Sequence, residues 1–128
     1  MALQRYLNHL KEVIDSYIAT HIILESSIRF DVRPGEQGYV KGSIRFKDGS
    51  VLHFTEFIDV VGEVTEKIMY TYHYQDKDQG MVFRYDNARH QPSLTFLNHK
   101  HVRDTVLETS PRVVESVLAE ICTQNGWL

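Results

Sequence analysis

Apolar and polar positions change period several times along the chain. Leu3, Tyr6, Leu7, Leu10, Val13, Ile14, Tyr17 and Ile18 recur at three- and four-residue spacing. That spacing lays one apolar stripe along a helix. From Ile28 the period falls to two, and Ile28, Phe30 and Val32 alternate with polar residues as a half-buried strand requires. "RPGEQG" then punctuates the chain as a turn. "YVKGSIRF" and "VLHFTEFIDV" flank "KDGS", in which Asp48-Gly49 is a strong hairpin signal. With Phe46 opposite Val51, Lys41 falls opposite Glu56 as a cross-strand ion pair. On that register one face carries Val40, Ile44, Phe46, Val51, His53, Thr55 and Phe57. The other carries Tyr39, Lys41, Ser43, Arg45, Leu52, Phe54, Glu56 and Ile58.

A second hairpin follows. Ile68, Tyr70, Tyr72 and Tyr74 alternate with Met69, Thr71, His73 and Gln75, "KDQG" turns the chain, and "MVFRYDN" returns. Pairing Asp76 with Met81 sets Tyr74 against Phe83, Tyr72 against Tyr85, His73 against Arg84 and Thr71 against Asp86. From Ala88 to Asp104 no period is clear, although "SLTF" fits a short edge strand. The last segment reads as a helix with Ser110 as N-cap, Pro111 in the first turn and Gly126 just past the end. Its apolar stripe is Val113, Val114, Val117, Leu118, Ile121 and Cys122. The expected fold is α+β: a curved antiparallel sheet of about five strands, with an N-terminal and a C-terminal helix packed on one face. Residues 1–128 form one domain on this reading, and the exposed edge of the sheet offers a route to a homodimer or to partner docking.

Composition narrows the setting. Hydrophobic residues make up 42% and charged residues 24%, ordinary values for a globular protein. A single cysteine, Cys122, excludes an internal disulfide and points to the reducing cytoplasm. Its place on the apolar stripe makes it a buried, inert thiol. There is no secretory leader and no apolar run long enough for a membrane span, so no membrane is expected. Net charge is −3, which argues against a globally basic nucleic-acid binder. Yet Arg84, Arg89, Lys100 and Arg103 stand against Asp86 alone between residues 84 and 103, a basic island suited to an anion. Phosphate-binding glycine loops and the G-x-S-x-G nucleophile elbow are absent.

The polar residues that remain suit two chemistries. In the first, RNA is cleaved at its own 2′-hydroxyl. One histidine accepts the proton, a second acid protonates the leaving 5′-oxygen, and a fixed cation stabilises the phosphorane-like transition state. His73 with His99 or His101 supplies acid and base, Arg84 the clamp, and Asp86 the group that orients a histidine. Exposed tyrosines, Tyr72 and Tyr85 among them, would stack bases, and Asn87, Arg89, His90 and Lys100 complete the binding set. No cofactor is needed. The alternative is a divalent metal at Asp86, His90, His99 and His101, since "HKH" sets two imidazoles on one side of a strand. A third reading is a non-catalytic module docking a cognate partner. His9, His21 and His53 stand alone and read as structural.

"FKDGSVLHFTEF", "YTYHYQD", "FRYDNARH" and "LNHKH", in that order, resemble the TumE family of toxins from prokaryotic toxin–antitoxin modules. The resemblance runs from about Tyr6 to Ile121. It implies a growth-inhibiting protein silenced by a small helix-turn-helix antitoxin, with ribonuclease action expected by analogy with other small toxins. The matching polar positions are His73, Gln75, Asp76, Arg84, Asp86, Asn87, His90, His99 and His101. The chain departs from the family pattern at Gln91, where a further histidine is usual, and at Leu97-Asn98, where Pro-His is usual. Fewer imidazoles weigh against a metal, and the same losses fit a weakened toxin.

Overall fold

The computed structural model describes residues 2–88 and 97–127. The order is α1 (Ala2–Ala19), β1 (Ile23–Arg33), β2 (Gln37–Phe46), β3 (Val51–Val61), β4 (Val64–Gln75), β5 (Met81–Asp86), β6 (His99–Val102), β7 (Thr105–Glu108) and α2 (Val114–Gln124). The strands form one open antiparallel sheet of seven, in chain order. The α+β architecture and both helices agree with the sequence pattern. The strand count does not: β6 and β7 are four residues each, too short for a period of two to stand out. The expected "SLTF" strand lies outside the described residues.

Both helices pack on one face of the sheet. Leu10 and Ile14 of α1, and Val114, Val117, Leu118, Ile121 and Cys122 of α2, share a core with Val40, Ile44, Phe46, Leu52, Phe54, Tyr72, Tyr74, Phe83 and Tyr85. Burial raises the Cys122 thiol pKa above its usual range, as expected for an inert thiol. Val113 is exposed and lies outside the α2 stripe. Helix α2 starts later than Ser110 and Pro111 suggest. Its N-cap is Val113, and the hydroxyl of Ser116 three residues on accepts from the Val113 amide (3.2 Å) and donates to its carbonyl (2.8 Å). The carbonyl of Arg112 is already engaged by Lys67 Nζ at 2.9 Å, which holds the chain out of a helix there. At the other end Gly126 (φ 70°) turns the chain, and the Trp127 amide donates to the Cys122 carbonyl at 2.8 Å.

The hairpin between β2 and β3 departs from the expected register by one residue. The Phe46 amide donates to the Ser50 carbonyl at 2.9 Å, and Gly49 takes φ 88°. The loop is therefore three residues, Lys47-Asp48-Gly49, with Gly49 as the left-handed residue. Asp48 fixes it by accepting from both the amide and the hydroxyl of Ser50. Arg45 then pairs with Val51, Lys41 with Thr55 and Val40 with Glu56. A slip of one moves every β3 side chain to the opposite face. Leu52, Phe54, Glu56 and Ile58 join Val40, Ile44 and Phe46 in the interior, while His53 and Thr55 join Lys41 and Ser43 outside. Lys41 and Glu56 are thus on opposite faces and cannot pair.

The β4–β5 register is the expected one from Thr71 to Tyr74, and a bulge then sets Gln75, rather than Asp76, against Met81. A second bulge at the β3–β4 pairing joins Phe57 to Met69 but Ile58 to Lys67. It leaves Ile68 and Met69 exposed and turns Lys67 onto the interior face. There the buried Glu56 accepts from Tyr6 and Tyr72 hydroxyls and lies 3.3 Å from Lys67 Nζ. Burial lowers the Lys67 pKa even though the Glu56 charge opposes that shift. Burial, reinforced by Glu56, raises the pKa of the Tyr6 and Tyr72 hydroxyls far above the phenol range. This buried group ties α1, β3, β4 and the approach to α2 together.

Candidate functional site

Side chains that point away from both helices line up in rows across the sheet, because directly paired residues share a face. One row is Ser27, Ser43, His53, His73, Arg84 and His101, each paired with the next. The adjacent row is Arg29, Lys41, Thr55, Thr71, Asp86 and His99. The β1-to-β5 part of these rows, except Asp86, lines a hollow of about 480 Å³ on the sheet's open face. Arg29 and Lys41 edge it on one side and Arg84 on the other, with His53 and His73 between them. No acidic side chain lines the hollow among the described residues.

His73 is half-buried, and its Nδ1 has no hydrogen-bond partner among the described residues. Burial lowers its pKa below the usual imidazole value, and the charges of Arg84 and His53 push it the same way. At neutral pH it is therefore an unprotonated base. That nitrogen is available to accept a hydrogen bond from a hydroxyl group in the hollow.

Asp86 is 3% exposed and anchors the far end of the rows. Arg84 Nε donates to its Oδ2 at 3.1 Å. His99 Nδ1 lies 3.2 Å from Oδ1, and His101 Nε2 3.3 Å from Oδ2. Burial raises the Asp86 pKa, but the bonds from His99 and Arg84, the nearby His101 and the Ala88 amide outweigh it. The carboxyl therefore titrates below its ordinary range and is ionised. It holds the Nε side of Arg84, whose side chain is 42% exposed at the edge of the hollow.

The expected site residues divide accordingly. His73, Arg84, Asp86, His99 and His101 share the open face, as the sequence suggested. His99 is 1% exposed, which puts it out of reach of a ligand in the hollow. Tyr72 and Tyr85 are buried on the helix-covered face, so neither ring is available to stack a base. Tyr85 instead donates to Glu120. Lys100 points the same way and pairs with Glu120 at 2.9 Å. Asn87 continues the sheet: its side chain accepts from the Tyr70 amide (3.0 Å) and donates to the Ile68 carbonyl (2.8 Å). Arg89 and His90 lie outside the described residues.

Sequence reasoning missed His53, Arg29 and Lys41. His53 read as an isolated histidine and Lys41 as the partner of Glu56. The correct loop length would have placed His53 and Lys41 on one face of the sheet, and the β3–β4 pairing sets His53 opposite His73.

The molecule is thus a small α+β protein whose open sheet face carries an imidazole pair flanked by cations. The family model for Toxin TumE matches residues 10–125, and the chain belongs to the TumE toxin family. Membership makes it the toxin of a toxin–antitoxin system and implies an antitoxin partner. No curated protein and no solved structure matches the chain significantly. No helix among the described residues is long and apolar enough to cross a membrane.

Proposed function

We propose that this toxin acts on RNA by cleaving the phosphodiester in the hollow on the open sheet face. The observation that carries the reading is the direct pairing of His53 with His73, flanked by Arg84, Lys41 and Arg29. His73, neutral and half-buried, accepts the proton of a ribose 2′-hydroxyl. The 2′-oxygen attacks phosphorus, the bond to the 5′-oxygen breaks, and His53 returns a proton to that oxygen. The products are a 2′,3′-cyclic phosphate and a 5′-hydroxyl. Arg84, steadied by Asp86, stabilises the charge that builds on the non-bridging oxygens. Arg29 and Lys41 hold the neighbouring phosphates. The antitoxin is proposed to be a helix-turn-helix protein, and the site belongs to the cytoplasm, where RNA is met.

The test is expression in a bacterial host beside His53→Ala, His73→Ala and Arg84→Ala variants, with growth and RNA integrity read together. Growth arrest with fragmented RNA, lost in the variants, supports the assignment. Intact RNA from a folded, expressed native chain overturns it and leaves the hollow as a binding surface.

A further inference from the structure

Three donors of mixed type meet at the β5–β6 pairing, beside the hollow and distinct from its imidazole pair. Asp86 pairs directly with His99, and His101 follows two residues later on the same face. One donor atom from each lies within 4.8 Å of the other two. Asp86 and His99 are almost wholly buried, while the His101 side chain is 19% exposed.

Both imidazoles face the one carboxylate: His99 Nδ1 lies 3.2 Å from Asp86 Oδ1 and His101 Nε2 lies 3.3 Å from Oδ2. Three donors gathered within 4.8 Å of one another are close enough to be drawn onto one ion. Chemistry agrees with geometry. Two imidazoles and one ionised carboxylate suit zinc and its first-row neighbours, whereas magnesium and calcium prefer all-oxygen sets. The Arg84 bond to Asp86 Oδ2 is the kind of outer contact that orients a ligating carboxylate. Its positive charge opposes a cation, but the Arg84 side chain is 42% exposed, so water screens much of it.

We propose that Asp86, His99 and His101 form a binding site for one divalent first-row transition ion, zinc foremost. The ion fixes Asp86, and through it Arg84, at the rim of the hollow. This site stands whether or not the hollow cleaves RNA, because it is defined by its own donors.

The test uses untagged full-length protein stripped with a chelator and titrated with zinc alone by calorimetry, with no RNA present. One zinc per chain is expected. His101→Ala, checked for folding by circular dichroism, should bind it more than about 100-fold more weakly, beyond the loss usual for an outer-shell contact. His53→Ala should bind as the native chain does. Absence of saturable binding, or equal binding by His101→Ala, overturns the site. Should His101→Ala fail to fold, cobalt(II) bound to the native chain replaces it. Two paramagnetically shifted imidazole N–H resonances then support the site, and their absence overturns it.

Discussion

His53 and His73 stand directly opposite one another on β3 and β4, and both open into the hollow that Arg84 borders. Neither imidazole contacts a carboxylate, so neither is committed to a structural ion pair among the described residues. Their surroundings differ: His53 is exposed, whereas His73 is half-buried beside Arg84. In the proposed mechanism His73 takes the acceptor role and His53 the donor role.

Replacing either imidazole should therefore cost chemistry rather than fold. His73→Ala and His53→Ala are each expected to lower the initial RNA cleavage rate by about 10²- to 10⁴-fold, the usual contribution of a general acid or base. Melting temperatures should stay close to the native value, because neither side chain belongs to the apolar core. Full cleavage by both variants would remove them from the mechanism.

Arg84 is tied to Asp86 through Nε, a bond that lysine cannot reproduce with the same fork. Arg84→Ala should lose roughly 10²- to 10³-fold in cleavage, as for other fixed transition-state donors. Arg84→Lys should recover only part of that loss. Native-like kinetics in the lysine variant would mean that charge alone suffices.

The low proton affinity of His73 sets a pH signature. Its folded pKa lies below the ordinary 6.5, first through burial and then through Arg84 and His53. The cleavage rate should accordingly fall on the acid side only below that value. Arg84→Ala removes one of the causes and should move the acid limb upward. The unfolded chain binds the proton more readily, so this histidine's share of stability is complete above pH 6.5. It is lost as pH falls towards the lower folded value. The urea midpoint of the native protein minus that of His73→Gln should fall as pH is lowered through this range, and a difference that stays constant would contradict the shift.

Glu56 and Lys67 form a buried pair on the other face, with side-chain exposures of 0% and 14%. Removing one partner strands the other charge, so Glu56→Ala should destabilise by about 3–5 kcal/mol. The double variant Glu56→Leu with Lys67→Met should regain much of that. Chemical denaturation measures both, and a loss under 1 kcal/mol in Glu56→Ala would show that water reaches Lys67.

Gly42 pairs with Phe54, and a Cβ at Gly42 would lie 2.3 Å from the Phe54 ring. The glycine is there for close approach, not for its backbone angles. Gly42→Ala should displace the ring and cost about 1–3 kcal/mol, seen as a lower melting temperature. An unchanged melting temperature would show that the ring moves aside freely.

Much of this arrangement was readable from the chain, and the failures share physical causes. The β4–β5 register was legible because Tyr70, Tyr72 and Tyr74 alternate without interruption and meet Phe83 and Tyr85. The β2–β3 register was not, because both faces of β3 carry apolar side chains: Val51 and Phe57 on one, Leu52, Phe54 and Ile58 on the other. Loop length then decided, and Asp48-Gly49 fits a three-residue loop as well as a four-residue one. That single residue hid His53 and Lys41 from the site. The same alternation sets Tyr72 and Tyr85 on the face opposite His73 and Arg84, so the register itself already argues against their stacking a base at that site. The bulge at Ile68, which turns Lys67 inward, has no local signature.

Strand order equals chain order, so each strand finds its neighbour already made as the polypeptide lengthens. Pairing along such a meander is local, which favours rapid, sequential assembly. The covering of Tyr74, Phe83 and Tyr85 by α2 comes last, from residues 114–124. A chain interrupted before Val114 would carry every strand and the whole histidine row, yet Tyr74, Phe83 and Tyr85 would lack the cover of α2. Such a fragment would be prone to aggregate, so α2 is the element that closes the core over these rings.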